Sequence, residues 1–219
     1  LTVMVLGQTR VGKSCLINNI LFDGKIVARE GFCEFGERDL EQYVSETVPY
    51  LRLVDTRGIE FSKEFSVEYL DKITKEFIKE QFEKKDINNY VHCIWYCIDS
   101  SKIPHHEIMF IYNLMNVMAS SKISVIIVLT QAEYEERINK MKQYLKNKNF
   151  EDVIDVVARQ IEFGNGIIIP PHGLDKLVEM TIKKCQTNFD GLMTKDYNER
   201  LTEYVKNNLS KNNSEIKSR

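Results

Sequence analysis

The stretch Leu1-Thr-Val-Met-Val-Leu-Gly-Gln-Thr-Arg-Val-Gly-Lys-Ser14 decides the fold, because an apolar strand runs directly into the spacing G-x-x-x-x-G-K-S. Residues Ser14-Cys-Leu-Ile-Asn-Asn-Ile-Leu21 come next, with Leu16, Ile17, Ile20 and Leu21 at the spacing of a core-facing helix. Strand, glycine loop and helix are thus contiguous. Gly7 and Gly12 permit backbone angles that let the N–H groups of Gln8, Thr9, Arg10, Val11, Gly12, Lys13, Ser14 and Cys15 curl around an anion. The helix directs its positive dipole end at the same point. A polyphosphate suits such a nest, with Lys13 reaching its terminal phosphates and the Ser14 hydroxyl ligating Mg²⁺. A tight glycine turn with a solvated lysine needs neither the preceding strand nor the following helix.

The chain has 219 residues, 43% of them hydrophobic, which supplies a sizeable core for one α/β domain and a tail. Its formal net charge of -2 carries no global basic excess of the kind that binding to nucleic acid or acidic lipid brings. The five cysteines, Cys15, Cys33, Cys93, Cys97 and Cys185, form neither metal-ligand pairs nor an even disulfide framework. They read as reduced thiols of a cytoplasmic protein. No apolar run approaches the about 20 residues that span a bilayer, and no signal peptide is visible. The chain begins inside a strand, so flanking parts, including any membrane segment, are expected to be missing.

Apolar runs mark buried strands at Thr2 to Leu6, Tyr50 to Val54, Val91 to Ile98, Ile123 to Leu129 and Val153 to Val157. Helical spacing occupies Leu16 to Leu21, Val67 to Phe82, His106 to Met118, Glu135 to Leu145 and Leu174 to Cys185. This alternation predicts right-handed parallel crossovers and a three-layer α/β fold. The short turn Ser45-Glu-Thr-Val-Pro49 adds one antiparallel edge strand. Residues 1–187 are expected to form the domain, and 188–219 a C-terminal helix and polar tail.

Ligands of open α/β sheets sit beyond the carboxyl ends of the strands. One such end reads Leu53-Val-Asp55-Thr-Arg-Gly58: the aspartate can hold a metal-bound water, and the Gly58 N–H can meet a γ-phosphate. With the loop at 7–14, these residues make the chain resemble the translation-factor class of P-loop GTPases, Era-like and septin-like G domains in particular. The resemblance covers about Leu1 to Cys185. It implies GTP and GDP as ligands, Mg²⁺ held at Ser14 and Asp55, slow hydrolysis, and switch segments that respond to turnover.

Such proteins read guanine with N/T-K-x-D after the next strand, where this chain has Thr130-Gln-Ala-Glu133. Glu133 can accept from guanine N1 and N2, and Gln131 can lie over the ring. An ordinary helix start, with Thr130 as cap and Glu133 as its partner, fits the same letters. The S-A-K motif of the family has its counterpart in Val157-Ala158-Arg159, ahead of the G-L-x-x-L pattern at Gly173 to Leu177. An ATP-dependent P-loop protein is the competing expectation, as is a nucleotide-stabilised dimer or polymer with little hydrolysis.

Two departures bear on catalysis. Ile59 follows Gly58 where Ras-type enzymes carry a water-orienting Gln, and no Ser or Thr lies between Phe22 and Val44, where the first switch supplies one. Ser45 and Thr47 are the nearest hydroxyls. Attention passes to Arg10, which stands where guanylate-binding proteins carry a loop arginine. Its guanidinium is expected to act in cis on the phosphates when two G domains pair, with Lys13 and Gly58 completing the catalytic set. A solvated loop arginine is the alternative. Glu60 is expected to face solvent. His105 and His106 read as a helix-start turn, and Trp95 and Tyr96 as core. A homodimer across the nucleotide and an effector protein are the expected partners.

Overall fold

The computed structural model describes residues 1–28, 40–56, 91–101, 105–120 and 123–188. The strands are β1 (Thr2–Gly7), β2 (Leu40–Val44), β3 (Arg52–Thr56), β4 (Cys93–Asp99), β5 (Ser124–Thr130) and β6 (Val153–Asp155), with a small hairpin of β7 (Ile161–Glu162) and β8 (Ile168–Ile169). The helices are α1 (Lys13–Leu21), α2 (His105–Ser120), α3 (Glu135–Asn147) and α4 (Leu174–Asn188). The expected helix at Val67 to Phe82, the tail beyond Asn188, Cys33, Gly58, Ile59 and Glu60 lie outside the described residues.

β1 to β6 form one sheet in the order β2-β3-β1-β4-β5-β6. All neighbours are parallel except the edge strand β2, which runs antiparallel to β3, as the short turn predicts. Every residue of β1 is buried, because a central parallel strand is covered on both faces.

Alternation along the strands builds two cores. Val3, Val5, Leu53, Cys93, Trp95 and Cys97 pack with α1 and α4, through Leu16, Ile17, Leu177 and Ile182. Met4, Leu6, Val54, Ile94, Tyr96 and Ile98 pack on the opposite face with α2 and α3, through Ile108, Ile111, Leu114 and Ile138. Helix, sheet and helix are the three layers that the alternation of strands and helices predicts. The fully buried Trp95 donates its indole N–H to Thr181 Oγ1 at 2.8 Å, and that hydroxyl donates to the Leu177 carbonyl at 2.7 Å. β4 and α4 are keyed together without an orphaned polar atom.

Because five of the six strands run the same way, Gly7, Thr56, Asp99, Thr130 and Asp155 end them at one edge of the sheet. The Asp99↔Thr130 and Gly7↔Cys97 register fixes their relative heights. Functional chemistry collects along this edge.

Candidate functional site

The glycine loop springs from the end of β1. Gly7 has φ 142°, and a Cβ there would stand 2.4 Å from the Cys97 carbonyl oxygen, so the backbone of β4 occupies the space a side chain needs. Gly12, at φ 95°, caps α1, and its carbonyl accepts from the Leu16 N–H at 2.9 Å. Lys13 turns back over the loop: its ammonium donates to the carbonyls of Gly7 at 3.1 Å and Gln8 at 2.9 Å. It is buried, and desolvation pulls its pKa below the ordinary lysine value against the pull of the Asp55 carboxylate. The charge is therefore held dry beneath the N–H groups of the loop.

Asp55, on β3, lies beside the start of α1, where Ser14 Oγ donates to its Oδ2 at 3.4 Å. Burial pushes its carboxyl up to about 6, with Lys13 and Ser14 opposing and Glu41 across the β2–β3 ladder adding to the rise. Oδ1 is the one buried side-chain polar atom among the described residues that lacks a hydrogen-bond partner. A carboxylate oxygen in that state carries its whole desolvation cost. A hard divalent cation in its water shell would satisfy it, and a hydroxyl with a carboxylate oxygen is the donor set that Mg²⁺ takes beside phosphates. The residues fit the ion.

Thr130 ends β5 and does not cap a helix: α3 begins at Glu135, with Tyr134 as its N-cap and no side-chain capping bond. The helix-start alternative for Thr130 and Glu133 fails because the ladder with β4 carries the strand to Thr130 itself. The single hydroxyl proton of Thr130 instead lies between the carbonyls of Val11 in the glycine loop and Ile98 in β4, the latter at 2.9 Å. Gln131 is left-handed at φ 52° and donates its side-chain amide to the Arg10 carbonyl at 3.1 Å, while Arg10 is itself left-handed at φ 68°. Ser100 Oγ grips the Gln131 carbonyl at 2.7 Å. Two non-glycine residues in a costly backbone region, joined by one hydrogen bond, mark this corner as over-determined by its surroundings. Ala132 is buried and Glu133 half-buried.

Ala158 and Arg159 follow β6 at the same edge. Val156 N donates to the Leu129 carbonyl at 2.8 Å, and Val157 exchanges backbone hydrogen bonds with His172, which holds the Val157-Ala158-Arg159 turn against the start of α4. Gln8, Thr9, Arg10, Val11, Gly12, Lys13, Ser14, Cys15, Asp55, Thr130, Gln131 and Glu133 thus converge from three strand ends. Gly58 lies outside the described residues.

Ser45 and Thr47 sit on the turn between β2 and β3, at the opposite end of the sheet from the loop. Their hydroxyls bond to each other at 2.8 Å, and Thr47 donates to the Leu21 carbonyl at the far end of α1. That distance removes both as substitutes for the switch threonine.

Two further polar residues show no signal in the sequence. Asn18, in α1, is buried, and its amide brackets the chain beyond the helix: Nδ2 donates to the Ala28 carbonyl at 2.9 Å, and Oδ1 accepts from the N–H groups of Val27 and Ala28 at 3.0 and 2.7 Å. Glu107, in the first turn of α2, is 2% exposed and bonds to Gln8 and Tyr96. A polar helical residue reads as solvated until tertiary packing buries it.

Residues 2–160 match the family described as "50S ribosome-binding GTPase". The tRNA modification GTPase MnmE of Staphylococcus aureus (strain Mu3 / ATCC 700698) is 27% identical over 146 residues, 66% of this chain and 28% of the relative. The chain therefore spans under a third of the length of such curated relatives. Among solved structures, a septin GTPase domain from Chlamydomonas reinhardtii superposes with TM-score 0.55 at 14% identity, covering 99% of this chain and 98% of the septin domain. Era from Aquifex aeolicus, bound to GDP and AlF4⁻, gives TM-score 0.55 at 20% identity over 84% of this chain and 56% of Era. These structures share the fold. By the family match over residues 2–160 and the loop, aspartate and sheet order that accompany it, the chain belongs to the P-loop GTPases and forms a G domain.

Proposed function

We propose that this G domain is a molecular switch that binds GTP with Mg²⁺, hydrolyses it slowly to GDP and phosphate, and reads guanine through Thr130, Gln131 and Glu133. The observation that carries the reading is the attachment of Thr130 and Gln131 to the carbonyls of Val11 and Arg10, because it sets the base-facing segment directly on the phosphate loop. Gln131 takes the place of the family lysine: its amide meets the loop backbone, and its stem is left to cover one face of the base. Glu133 accepts from N1 and N2 of guanine, a pattern that adenine does not offer. Ala158 offers its N–H to O6, and Arg159 borders the same turn.

Competition by unlabelled GTP, GDP and ATP against a fluorescent GDP analogue tests this. Glu133→Ala is expected to weaken GDP by on the order of 100-fold, the loss of two hydrogen bonds to a charged acceptor, and to leave ATP unchanged. Equal competition by ATP and GTP in the unaltered chain would overturn the guanine reading in favour of an ATP-dependent protein.

Ser14 and Asp55 would hold the Mg²⁺, which supplies charge neutralisation at the β and γ phosphates. The chain's own part is to keep the Lys13 ammonium dry, to aim the loop N–H groups and to exclude water from the bonds that remain. With Ile59 unable to do acid–base work, we assign the cis-acting positive charge to Arg10, brought inward when two copies pair across the nucleotide. Arg10→Ala is expected to remove the dependence of GTP turnover on protein concentration and to lower the rate at high concentration by about 10-fold or more. Identical rates for both proteins at every concentration would remove Arg10 from catalysis, and turnover per molecule of the unaltered chain that does not rise with concentration would remove the homodimer.

A cytoplasmic location agrees with Cys15, Cys93, Cys97 and Cys185 being thiols and not disulfides. Among the described residues no helix is long and apolar enough to cross a membrane. Residues 1–187 are assigned to the G domain and 188–219 to an appended helix and tail, with effector binding left to the switch segments.

A further inference from the structure

Gln8, the first variable residue of the loop, is held from two sides. Its carbonyl accepts from Lys13 Nζ at 2.9 Å, and its side-chain amide donates to Glu107 Oε2 at 3.2 Å. The other oxygen of that carboxylate, Oε1, accepts from the Tyr96 hydroxyl at 3.1 Å. Tyr96 is fully buried in β4 and packs its ring 5.6 Å from that of Phe110, one turn further along α2. A chain of contacts therefore runs from α2 and β4 to the loop.

An acid is an expensive occupant of this place. Burial pushes Glu107 up to about 7, the nearby Asp99 adds to the rise, and the bonds from Tyr96 and Gln8 oppose it without cancelling it. An apolar side chain would fill the same volume under the loop without that cost, so packing alone gives no reason for a carboxylate. What the carboxylate does, and a leucine would not, is accept from Gln8 and Tyr96 at once. Gln8 in turn carries one of the two carbonyls that seat the Lys13 ammonium, as well as the first side-chain-bearing N–H of the nest.

We propose that Glu107 is a positioning residue for the bound nucleotide: by clamping Gln8 against Tyr96 it fixes the rim of the phosphate loop and the carbonyl seat of Lys13. This rests on the nucleotide reading above. Loss of the clamp loosens the phosphates and shows as faster release.

The test is release of methylanthraniloyl-GDP by stopped flow from the unaltered chain and from Gln8→Ala, Glu107→Ala, the double variant and Glu107→Gln. Gln8→Ala and Glu107→Ala are each expected to speed release about tenfold. The double variant is expected to do no more than the larger single change, because both remove the same contact. Glu107→Gln should stay within about twofold of the unaltered chain, since its amide oxygen can accept from Gln8 while its N–H donates to the Tyr96 hydroxyl oxygen. That rescue is a result that simple cavity filling does not provide. Release from Gln8→Ala at the original rate, or single effects that multiply in the double variant, would overturn the proposal. If Glu107→Ala does not fold, Gln8→Ala and Glu107→Gln decide alone. A chain that binds no labelled GDP fails the nucleotide reading and this inference with it, whereas one that binds GDP yet ignores Gln8→Ala fails this inference only.

Discussion

Gly7→Ala is expected to lower the stability of the free chain by roughly 3 kcal/mol, through overpacking joined to a backbone angle that L side chains avoid. The added methyl would stand 2.4 Å from the Cys97 carbonyl oxygen and 3.1 Å from Val11 Cγ2, with φ at 142°. Neither neighbour yields easily: Cys97 is tied into the β1–β4 ladder opposite Gly7, and Val11 belongs to the buried core. The two central strands must separate at their ends, where the loop begins. Thermal melting should fall by about 6–12 °C for a domain of this size. Gly12→Ala is the control, because its φ of 95° carries the backbone penalty while the new Cβ meets nothing closer than Thr130 Cβ at 3.7 Å. A Gly7→Ala melt no lower than that of Gly12→Ala would refute the steric account.

Lys13→Ala is expected to produce the largest change in binding. The ammonium is seated on the carbonyls of Gly7 and Gln8, sealed from water and close to the Asp55 carboxylate. Two charge-assisted hydrogen bonds to phosphate are worth about 3–4 kcal/mol, so affinity for GDP and GTP should fall by on the order of 100- to 1000-fold. Lys13→Arg should fail as well, since a planar guanidinium cannot occupy a seat shaped by two converging carbonyls. The nucleotide-free chain should lose stability as well, because Asp55 stays buried without the ammonium that opposes the cost of its charge. Calorimetric titration with GDP checks the first part and urea unfolding the second. Affinity within about threefold of the original would remove Lys13 from the site.

The loop at 7–14 and the aspartate at 55 were legible because each is a short pattern placed by an apolar strand. The boundaries drifted where burial and hydrogen bonding part company. The apolar run Tyr50 to Val54 begins too early, and β3 continues through Asp55 and Thr56, polar residues that still pair with β1 and β2. Val153 to Val157 reads as one strand, yet the ladder holds only to Asp155, and Val157 turns to bridge His172 in the other direction. The hairpin of β7 and β8 gives little sequence signal beyond the turn residues Gly164-Asn-Gly166, since only two residues pair on each side. Glu107 was hidden for another reason. An acid in the first turn of a helix is what the dipole favours at a solvated surface, and only the packing of α2 beneath the loop makes it a buried acceptor.

Asn18 ties α1, the helix that starts at the phosphate loop, to Val27 and Ala28 beyond its end. The helix begins with Lys13 and Ser14, and further along it Asn18 grasps Val27 and Ala28. On the far side of residues 29–39, β2 is zipped to β3, where Glu41 lies opposite Asp55. Ala28 is thus bonded to the helix that carries Ser14, and β2 is paired with the strand that carries Asp55. A shift at Val27 and Ala28 would reach the helix that starts at Lys13 and Ser14 through three hydrogen bonds of one side chain, and a shift of β2 would reach Asp55 through the ladder.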